Sequence, residues 1–269
     1  MEQINKTCYM CDAEGISREH VPPLCLFPEA KDVKGLNFRK DLITVPSCEL
    51  HNSKKSHDDE FLMVSIAGII GNNQLGYLQT ISKVNRALKR KSIDFLGKVV
   101  LKNQKATSIR TNEGYEFPVL YGNPDHNRLL NCFEHIVKGL YMFEHGHRFH
   151  GRVKMLLGFV YHSKKDDQTF LELIRRQFDL EDLRLEIKGN NPGIFTYQFC
   201  LPDNGVIAFK LVFYGGTEVF GALIPEGTKK PYDLAHQIMS NGMPVTFTLG
   251  KEEFQFNQNE DSINNFYNQ

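Results

Sequence analysis

The sequence predicts an α+β protein in which a cysteine-bearing N-terminal module, residues 1–70, precedes a larger α+β domain, residues 71–269. Three observations support this. Residues 1–48 are rich in Cys, Pro and turn-forming residues and lack helical periodicity. Apolar residues recur at helical spacing between positions 126 and 144. Short apolar runs separated by turn residues, which are typical of strands, occupy much of the remaining chain.

Four segments have the pattern of helices. The first extends from Glu49 to about Ile70, before the stop signal Gly71-Asn72-Asn73, and the second from Gln74 to Lys91. Residues 126–144 and 167–178 are predicted as further helices. The apolar positions of the segment 126–144 fall at i, i+4, i+7, i+8 and i+11, and they are Leu129, Phe133, Ile136, Val137 and Leu140.

The predicted strands lie mainly in the second half of the chain. They are Thr107–Arg110, Tyr115–Tyr121, 152–161, Ile194–Cys200, Val206–Phe213 and Val219–Ile224. The last two flank Gly215-Gly216, which predicts a hairpin.

The 32 basic and 32 acidic residues give a net charge of zero, which excludes a histone-like polycation. The charges are unevenly distributed, because residues 61–110 carry nine basic groups and one acidic group. This basic stretch is centred on Lys83, Arg86, Lys89, Arg90 and Lys91. It is compatible with a solvated helix face or with a surface that contacts phosphate.

The six cysteines are expected to be free thiols or metal ligands, not disulfides. The segment MEQINKTCYM lacks the apolar stretch of a secretory signal, so we expect a cytoplasmic location. The longest apolar run, Phe61–Ile70, is too short to cross a bilayer, so no membrane association is predicted.

Two short motifs have the spacing of half a zinc site. Cys8-Tyr-Met-Cys11 and Cys48-Glu-Leu-His51 each place two donors three residues apart on a turn. Two such turns complete a tetrahedral N/S shell, so Cys8, Cys11, Cys48 and His51 are predicted to hold a structural Zn²⁺.

Between these half-sites lies Glu19-His20-Val21-Pro22-Pro23, and Asn52 directly follows the second half-site. Glu19 and Asn52 offer oxygen ligands for a hard cation, and His20 is a candidate general base. A metal-dependent nuclease needs a bound cation and a general base. These three residues supply both, provided that zinc brings the two segments together.

The arrangement CxxC…EHVPP…LITVPSCxxHN…DDEF resembles the HNH endonucleases, the ββα-metal nuclease fingers, and in particular bacterial HNH proteins with these motifs. The resemblance covers residues 8 to about 62. It continues more loosely through Ile136–Tyr141 and Phe213–Gly215.

The resemblance implies a role for each matched residue. Cys8, Cys11, Cys48 and His51 would hold the structural zinc. His20 would be the general base, Glu19 and Asn52 would bind a catalytic Mg²⁺ or Mn²⁺, and Asp41 would orient the base.

Three positions depart from the family pattern. The family usually has Asp at the position of Glu19, Cys at that of His51 and Asn at that of Asp41. The first two changes preserve the chemistry, whereas Asp41 makes the orienting role the least secure of these assignments.

The expected function is therefore hydrolysis of phosphodiester bonds in DNA, as part of a bacterial anti-phage defence or restriction system. Lys54, Lys55 and the basic stretch around Lys83–Lys91 are the predicted DNA contacts, with plain surface roles as the alternative. A homodimer or a partner protein of such a system is also expected. Two other functions remain open, namely a non-catalytic zinc-binding interaction protein and an HNH nuclease that acts on RNA.

Overall fold

The computed structural model describes residues 7–91, 101–110, 112, 114, 116–181, 185–228 and 241–257. Helices and sheets are both present, which confirms the α+β class. The chain forms two compact units. The first comprises Met1–His150, Gly189–Thr196 and Val212–Thr217, and the second comprises the remainder. The predicted domain boundary near residue 70 stays a prediction.

The N-terminal part of the first unit has the order strand, strand, helix. Strand β1 (Ser17–His20) pairs antiparallel with β2 (Thr44–Ser47), so that Glu19 lies opposite Val45. Short 3-10 turns at Leu24–Leu26 and Ala30–Asp32 lie in the connection between the strands. A third turn, Ser53–Lys55, leads into helix α1 (Ser56–Ala67).

Helix α1 begins later than the predicted start at Glu49. Residues 49–52 instead form the turn that holds Cys48 and His51 together. The prediction was wrong here because this local side-chain arrangement overrides a helical apolar pattern.

The next helices follow their predicted bounds closely. Helix α2 (Gln74–Gln79), a π-helical turn (Thr80–Val84) and α3 (Asn85–Lys91) form one helical run that is capped by Asn73. Helix α4 (His126–His145) is capped by Asp125 and ends at Gly146, whose φ of 72° favours glycine. Between α3 and α4, β3 (Leu101–Arg110) and β4 (Glu116–Pro124) form an antiparallel pair.

Helices α1 and α4 pack together through their apolar faces. Their fully buried side chains include Phe61, Leu62, Ile66, Leu129, Phe133, Val137 and Leu140. Arg128 of α4 also donates to Asp58 of α1 at 2.7 Å. This packing fixes α4 beside the helix that follows the two-stranded pair.

The second unit contains most of a five-stranded sheet with the order β5-β9-β8-β7-β6. These strands are β5 (Gly151–Leu157), β6 (Lys188–Asn191), β7 (Phe195–Phe199), β8 (Ile207–Phe213) and β9 (Thr217–Pro225). The predicted hairpin across Gly215-Gly216 is confirmed as β8–β9. The predicted strand 152–161 ends early, at Leu157.

Helix α5 (Lys165–Glu181) covers the predicted helix 167–178. It contacts a second hairpin, β10 (Val245–Leu249) with β11 (Glu252–Phe256), which was not predicted. A hydrophobic cluster of this part includes the buried residues Leu171, Phe178 and Phe220. Within the described ranges, no helix has both the length and the apolar character needed to cross a bilayer.

Candidate metal centre and active site

Four predicted zinc ligands lie together at the N-terminal end of the chain. The donor atoms of Cys8, Cys11, Cys48 and His51 all lie within 4.8 Å of one another. The backbone N–H of Cys8 donates to Ala13, and that of Tyr9 donates to Pro46 of β2. These bonds place the first half-site beside the strand that leads into the second.

The separations between donor atoms match the edges of a zinc tetrahedron. With Zn–S of about 2.3 Å and Zn–N of about 2.05 Å, tetrahedral angles require S···S of about 3.8 Å and S···N of about 3.6 Å. The Sγ atoms of Cys11 and Cys48 lie 3.8 Å apart. Nδ1 of His51 lies 3.5 Å from the Sγ of Cys8 and of Cys11, and 3.2 Å from that of Cys48.

The protein environment suits a closed structural site. Cys8 is fully buried and Cys48 nearly so. Burial lowers the pKa of His51, as do the positive charges of Lys138 and Lys55, so the ring stays neutral, which is the form that binds metal. This Cys3His group can therefore hold a metal ion such as zinc. Its four donors complete the shell and leave no position for a water ligand.

His135 of α4 lies next to this site, although the sequence did not identify it. Tyr9, between the first two cysteines, has its hydroxyl 2.9 Å from Nδ1 of His135 on α4. Burial, with the charge of Lys55, lowers the pKa of His135 to about 3, so this ring is neutral. His135 had no visible signal, because a lone histidine in an amphipathic helix has no motif around it.

Glu19 and His20 are adjacent on β1, and consecutive side chains of a strand point to opposite faces. Glu19 is buried, whereas His20 is half-buried. Burial lowers the pKa of His20, and the nearby Arg39 lowers it further. The imidazole is therefore neutral near pH 7, which is the state that can accept a proton.

Asn52 lies at the start of the turn that leads into α1, next to β1. Its amide nitrogen donates to Ser17 Oγ at 2.9 Å and to the backbone oxygen of Arg18 at 3.3 Å. The structure thus brings Asn52 to the strand that carries Glu19 and His20.

Asp41 is not joined to the histidine that it was expected to orient. Its carboxylate is exposed and lies 3.9 Å from Nζ of Lys40. In the described part of the chain, no hydrogen bond connects Asp41 with His20. Asp41 has a φ of 54° in the turn before β2, and its backbone oxygen accepts a bond from Asn190. Its orienting role stays a prediction.

Lys55 takes a position that the sequence did not suggest. Its Nζ lies 2.7 Å from Glu19 Oε1 and 2.5 Å from Asp59 Oδ1, and its side chain is only 7% exposed. The predicted metal ligand Glu19 is therefore paired with a buried ammonium group. The ammonium group of Lys55 is also turned away from solvent. A DNA phosphate, which approaches from solvent, would therefore not meet it.

Two residues of the basic stretch are bound to the loop between β1 and β2. Arg86 binds Asp32 through two bonds of 2.7 Å, and Lys83 donates to the backbone oxygen of Cys25 at 3.1 Å. Lys89 is exposed. The side chains of Lys54, Arg90 and Lys91 lie outside the described part of the structure.

Both C-terminal segments of the looser resemblance contact the loop after His20. A Cβ on Gly139 of α4 would lie 2.6 Å from Cγ2 of Val21, so only glycine permits this approach. The fully buried Tyr214 donates its hydroxyl to the backbone oxygen of Leu26 at 2.6 Å. These contacts fix the segment 21–26 from two sides.

The residues present do not fit a catalytic divalent cation as they are arranged. The carboxylate of Glu19 is paired with the buried ammonium group of Lys55. Among the described residues, the Cys3His group is the only cluster of three or more side chains that could hold a metal ion.

Comparison with known proteins identifies no relative of the chain, since no protein family, curated protein or solved structure matches it.

Proposed function

We propose that the protein is an HNH-type endonuclease that hydrolyses phosphodiester bonds of DNA. One observation carries the proposal. Asn52, at the start of the helical segment, is bonded to the strand that holds Glu19 and His20, beside a Cys3His group with the dimensions of a zinc site. The order of two antiparallel strands followed by a helix is that of a ββα-metal finger.

In this proposal His20 accepts the proton of the attacking water. Its lowered pKa keeps the imidazole neutral, and Val21, held by Gly139, fixes the chain directly after it. Arg39 places a positive charge close to His20. In this proposal that charge also helps to bind the phosphate of the substrate. To orient His20, the exposed side chain of Asp41 would have to come within hydrogen-bond distance of its ring.

A Mg²⁺ or Mn²⁺ ion would be held by Glu19 and Asn52, and it would supply Lewis-acid stabilisation of the charge on the phosphate. The present pairing of Glu19 with Lys55 has to open before Glu19 can serve in this way.

The decisive experiment is incubation of the zinc-loaded protein with plasmid DNA, single-stranded DNA and RNA, with and without Mg²⁺ or Mn²⁺. We expect metal-dependent cleavage of DNA that His20→Ala abolishes while zinc stays at one per chain. His162→Ala is a matched control, because the His162 ring bonds to the nearby backbone oxygen of Leu157 and lies outside the proposed site. Cleavage by the His20 variant would contradict the assignment of the base, and cleavage of RNA alone would move the function to the RNA nucleases.

One observation favours a non-catalytic zinc-binding interaction protein instead. The buried ion pair of Glu19 with Lys55 gives the acidic residue a purely structural partner. If no nucleic acid is cleaved under any metal condition, and zinc loading is complete, this second function takes the place of the first. The defence role, a homodimer and a partner protein are further parts of the proposal that rest on the resemblance alone.

A further inference from the structure

The solvent-facing side of β1 carries an arginine beside the proposed base. Side chains alternate along a strand, so Arg18 and His20 share one face. Ser17 and Glu19 share the other face, which is turned inward, because Glu19 is buried and the Ser17 hydroxyl donates to the backbone oxygen of Ser47 at 3.0 Å. Arg18 is exposed and His20 is half-buried. The face of β1 that a substrate can reach therefore presents Arg18 and His20 together.

The guanidinium group of Arg18 is held at the position opposite His20. In the antiparallel pair of β1 with β2, Thr44 is the partner of His20. Nε of Arg18 donates to Thr44 Oγ1 at 2.7 Å, and Nη2 donates to the backbone oxygen of the same residue at 2.8 Å. The side chain thus crosses the pair diagonally and ends beside the cross-strand neighbour of the imidazole. Because two bonds fix the guanidinium before a ligand arrives, less conformational entropy is lost on binding.

The positive charge of Arg18 is available to a ligand. Both of its bonds go to neutral oxygens of Thr44, and among the described residues no carboxylate forms an ion pair with it. Lys55, Lys83 and Arg86 differ in this respect, because each of them is paired with a carboxylate. Neither bond of Arg18 uses Nη1, so the N–H groups of this nitrogen can bind an anion.

We propose that Arg18 binds a phosphate of the DNA backbone next to His20, and that Thr44 is its positioning residue. This inference rests on the proposed function, because it names a substrate contact on the same face. A guanidinium group binds phosphate oxygens through N–H groups in a fixed plane, so it orients the strand as well as attracting it. Such a contact positions the DNA without reading its sequence. The phosphate is thereby held against the face on which His20 acts.

The experiment measures binding of a labelled DNA duplex to the full, zinc-loaded chain by fluorescence anisotropy, without added Mg²⁺ or Mn²⁺. The dissociation constant is determined over a series of salt concentrations. Loss of one phosphate contact should reduce the steepness of the salt dependence, log K against log [salt], by about 0.9. We therefore expect Arg18→Gln to bind the duplex about five- to tenfold more weakly at about 0.1 M salt. The melting temperature of the variant establishes that it is folded.

Arg152→Gln is the matched control. Arg152 is also an exposed arginine on a strand, β5, and its replacement removes the same charge from outside the proposed site. It should leave the salt dependence unchanged. Arg18→Lys is the second variant at the site itself. It should keep the salt dependence but lose part of the affinity, since an ammonium group lacks the planar fork that is bound to Thr44.

Thr44→Val tests the positioning role. It removes the Oγ1 acceptor with little change in shape, and valine is well suited to a strand. We expect DNA binding about threefold weaker with an unchanged salt dependence, and no further loss when Thr44→Val is added to Arg18→Gln. A merely structural role of Thr44 would weaken binding by the same factor whether Arg18 is present or not.

Equal effects of Arg18→Gln and Arg152→Gln on the salt dependence overturn the inference, as does the absence of DNA binding by the unaltered protein. Failure of the proposed function is distinguishable, because it appears as absent cleavage in Mg²⁺ or Mn²⁺ while Arg18→Gln still reduces the salt dependence of binding. Metal-dependent cleavage together with unchanged DNA binding by Arg18→Gln would instead retain the nuclease and refute the phosphate contact.

Discussion

The hydroxyl of Tyr9 lies 2.9 Å from Nδ1 of His135, which joins the loop of Cys8 and Cys11 to the middle of α4. Tyr9 is 1% exposed, so the hydroxyl has little access to water. The rings of His51 and His135 also lie close, with centroids 5.6 Å apart. The Cys3His cluster therefore packs against His135, which lies 84 positions after His51 in the sequence.

Tyr9→Phe tests this support. The change keeps the ring and removes only the hydroxyl, so it leaves Nδ1 of His135 without this hydrogen-bond partner. We expect a loss of about 1–2 kcal/mol in the free energy of unfolding, measured by chemical denaturation, with one zinc still bound per chain. Tyr161→Phe is the control, because Tyr161 is 84% exposed and should cost almost nothing. Loss of zinc from Tyr9→Phe would mean that the hydroxyl is needed for metal binding itself.

Removal of one zinc ligand should have a much larger effect. Cys48→Ala leaves three donors for a four-coordinate ion, and the binding energy of structural zinc is part of the folding energy. We expect loss of stoichiometric zinc by elemental analysis and a fall in melting temperature, which a chelator should reproduce in the unaltered protein. Cys200→Ser should keep its zinc, because Cys200 is outside the cluster. A Cys48 variant with full zinc content would contradict the proposed ligand set.

The Cys3His cluster was predictable from spacing. Two donors three residues apart on a turn can point at one ion, and the two pairs with this spacing are Cys8 with Cys11 and Cys48 with His51. Helix α4 was equally predictable, since its apolar positions repeat with the helical period from Leu129 to Leu140. Its partner α1 was located, but its start was not, because the 49–52 turn depends on the ligand cluster.

The ion pairs could not be predicted, because they join residues far apart in sequence. Lys55 was a candidate for DNA binding by its position beside Asn52, and nothing local indicates that it turns inward to Glu19. Arg86 was likewise assigned to a basic surface, although it binds Asp32 in the loop between β1 and β2. A count of charges along the chain does not reveal which of them are paired.

Arg86→Met separates this ion pair from DNA binding. The guanidinium beside Asp32 lowers the pKa of that carboxyl. We expect a loss of about 1 kcal/mol in unfolding free energy at pH 7, since Arg86 is 40% exposed and partly screened. The folded pKa of Asp32 lies below its unfolded value of about 3.9, so this stabilisation is present above that pH and is lost as the pH falls through the folded pKa. The difference in unfolding free energy between Arg86→Met and the unaltered protein should therefore become smaller as the pH falls below about 3.9.

Lys89→Glu is the companion variant, because Lys89 is exposed on the same helix. It should leave stability nearly unchanged and reduce the salt dependence of DNA binding. If Arg86→Met keeps full stability at pH 7 but weakens DNA binding, Arg86 belongs to the DNA surface after all.

Gly139→Ala tests whether α4 positions the loop after His20. The added Cβ would lie 2.6 and 3.0 Å from the two Cγ atoms of Val21, so the loop or the helix has to move. Overpacking of this kind costs about 1–3 kcal/mol, and the better helix propensity of alanine returns at most about 1 kcal/mol. We expect reduced stability and, if His20 is the base, a larger loss of cleavage rate than of DNA affinity.

Val21→Ala supplies the compensating change, because it removes both Cγ atoms that the new methyl group would meet. The double variant should be more stable than the sum of the two single effects predicts, as a double-mutant cycle measures directly. If the two changes in stability are additive, the destabilisation by Gly139→Ala arises from other contacts of α4. Recovery of stability without recovery of cleavage would mean that Val21 itself, and not merely its distance from Gly139, keeps His20 in its working position.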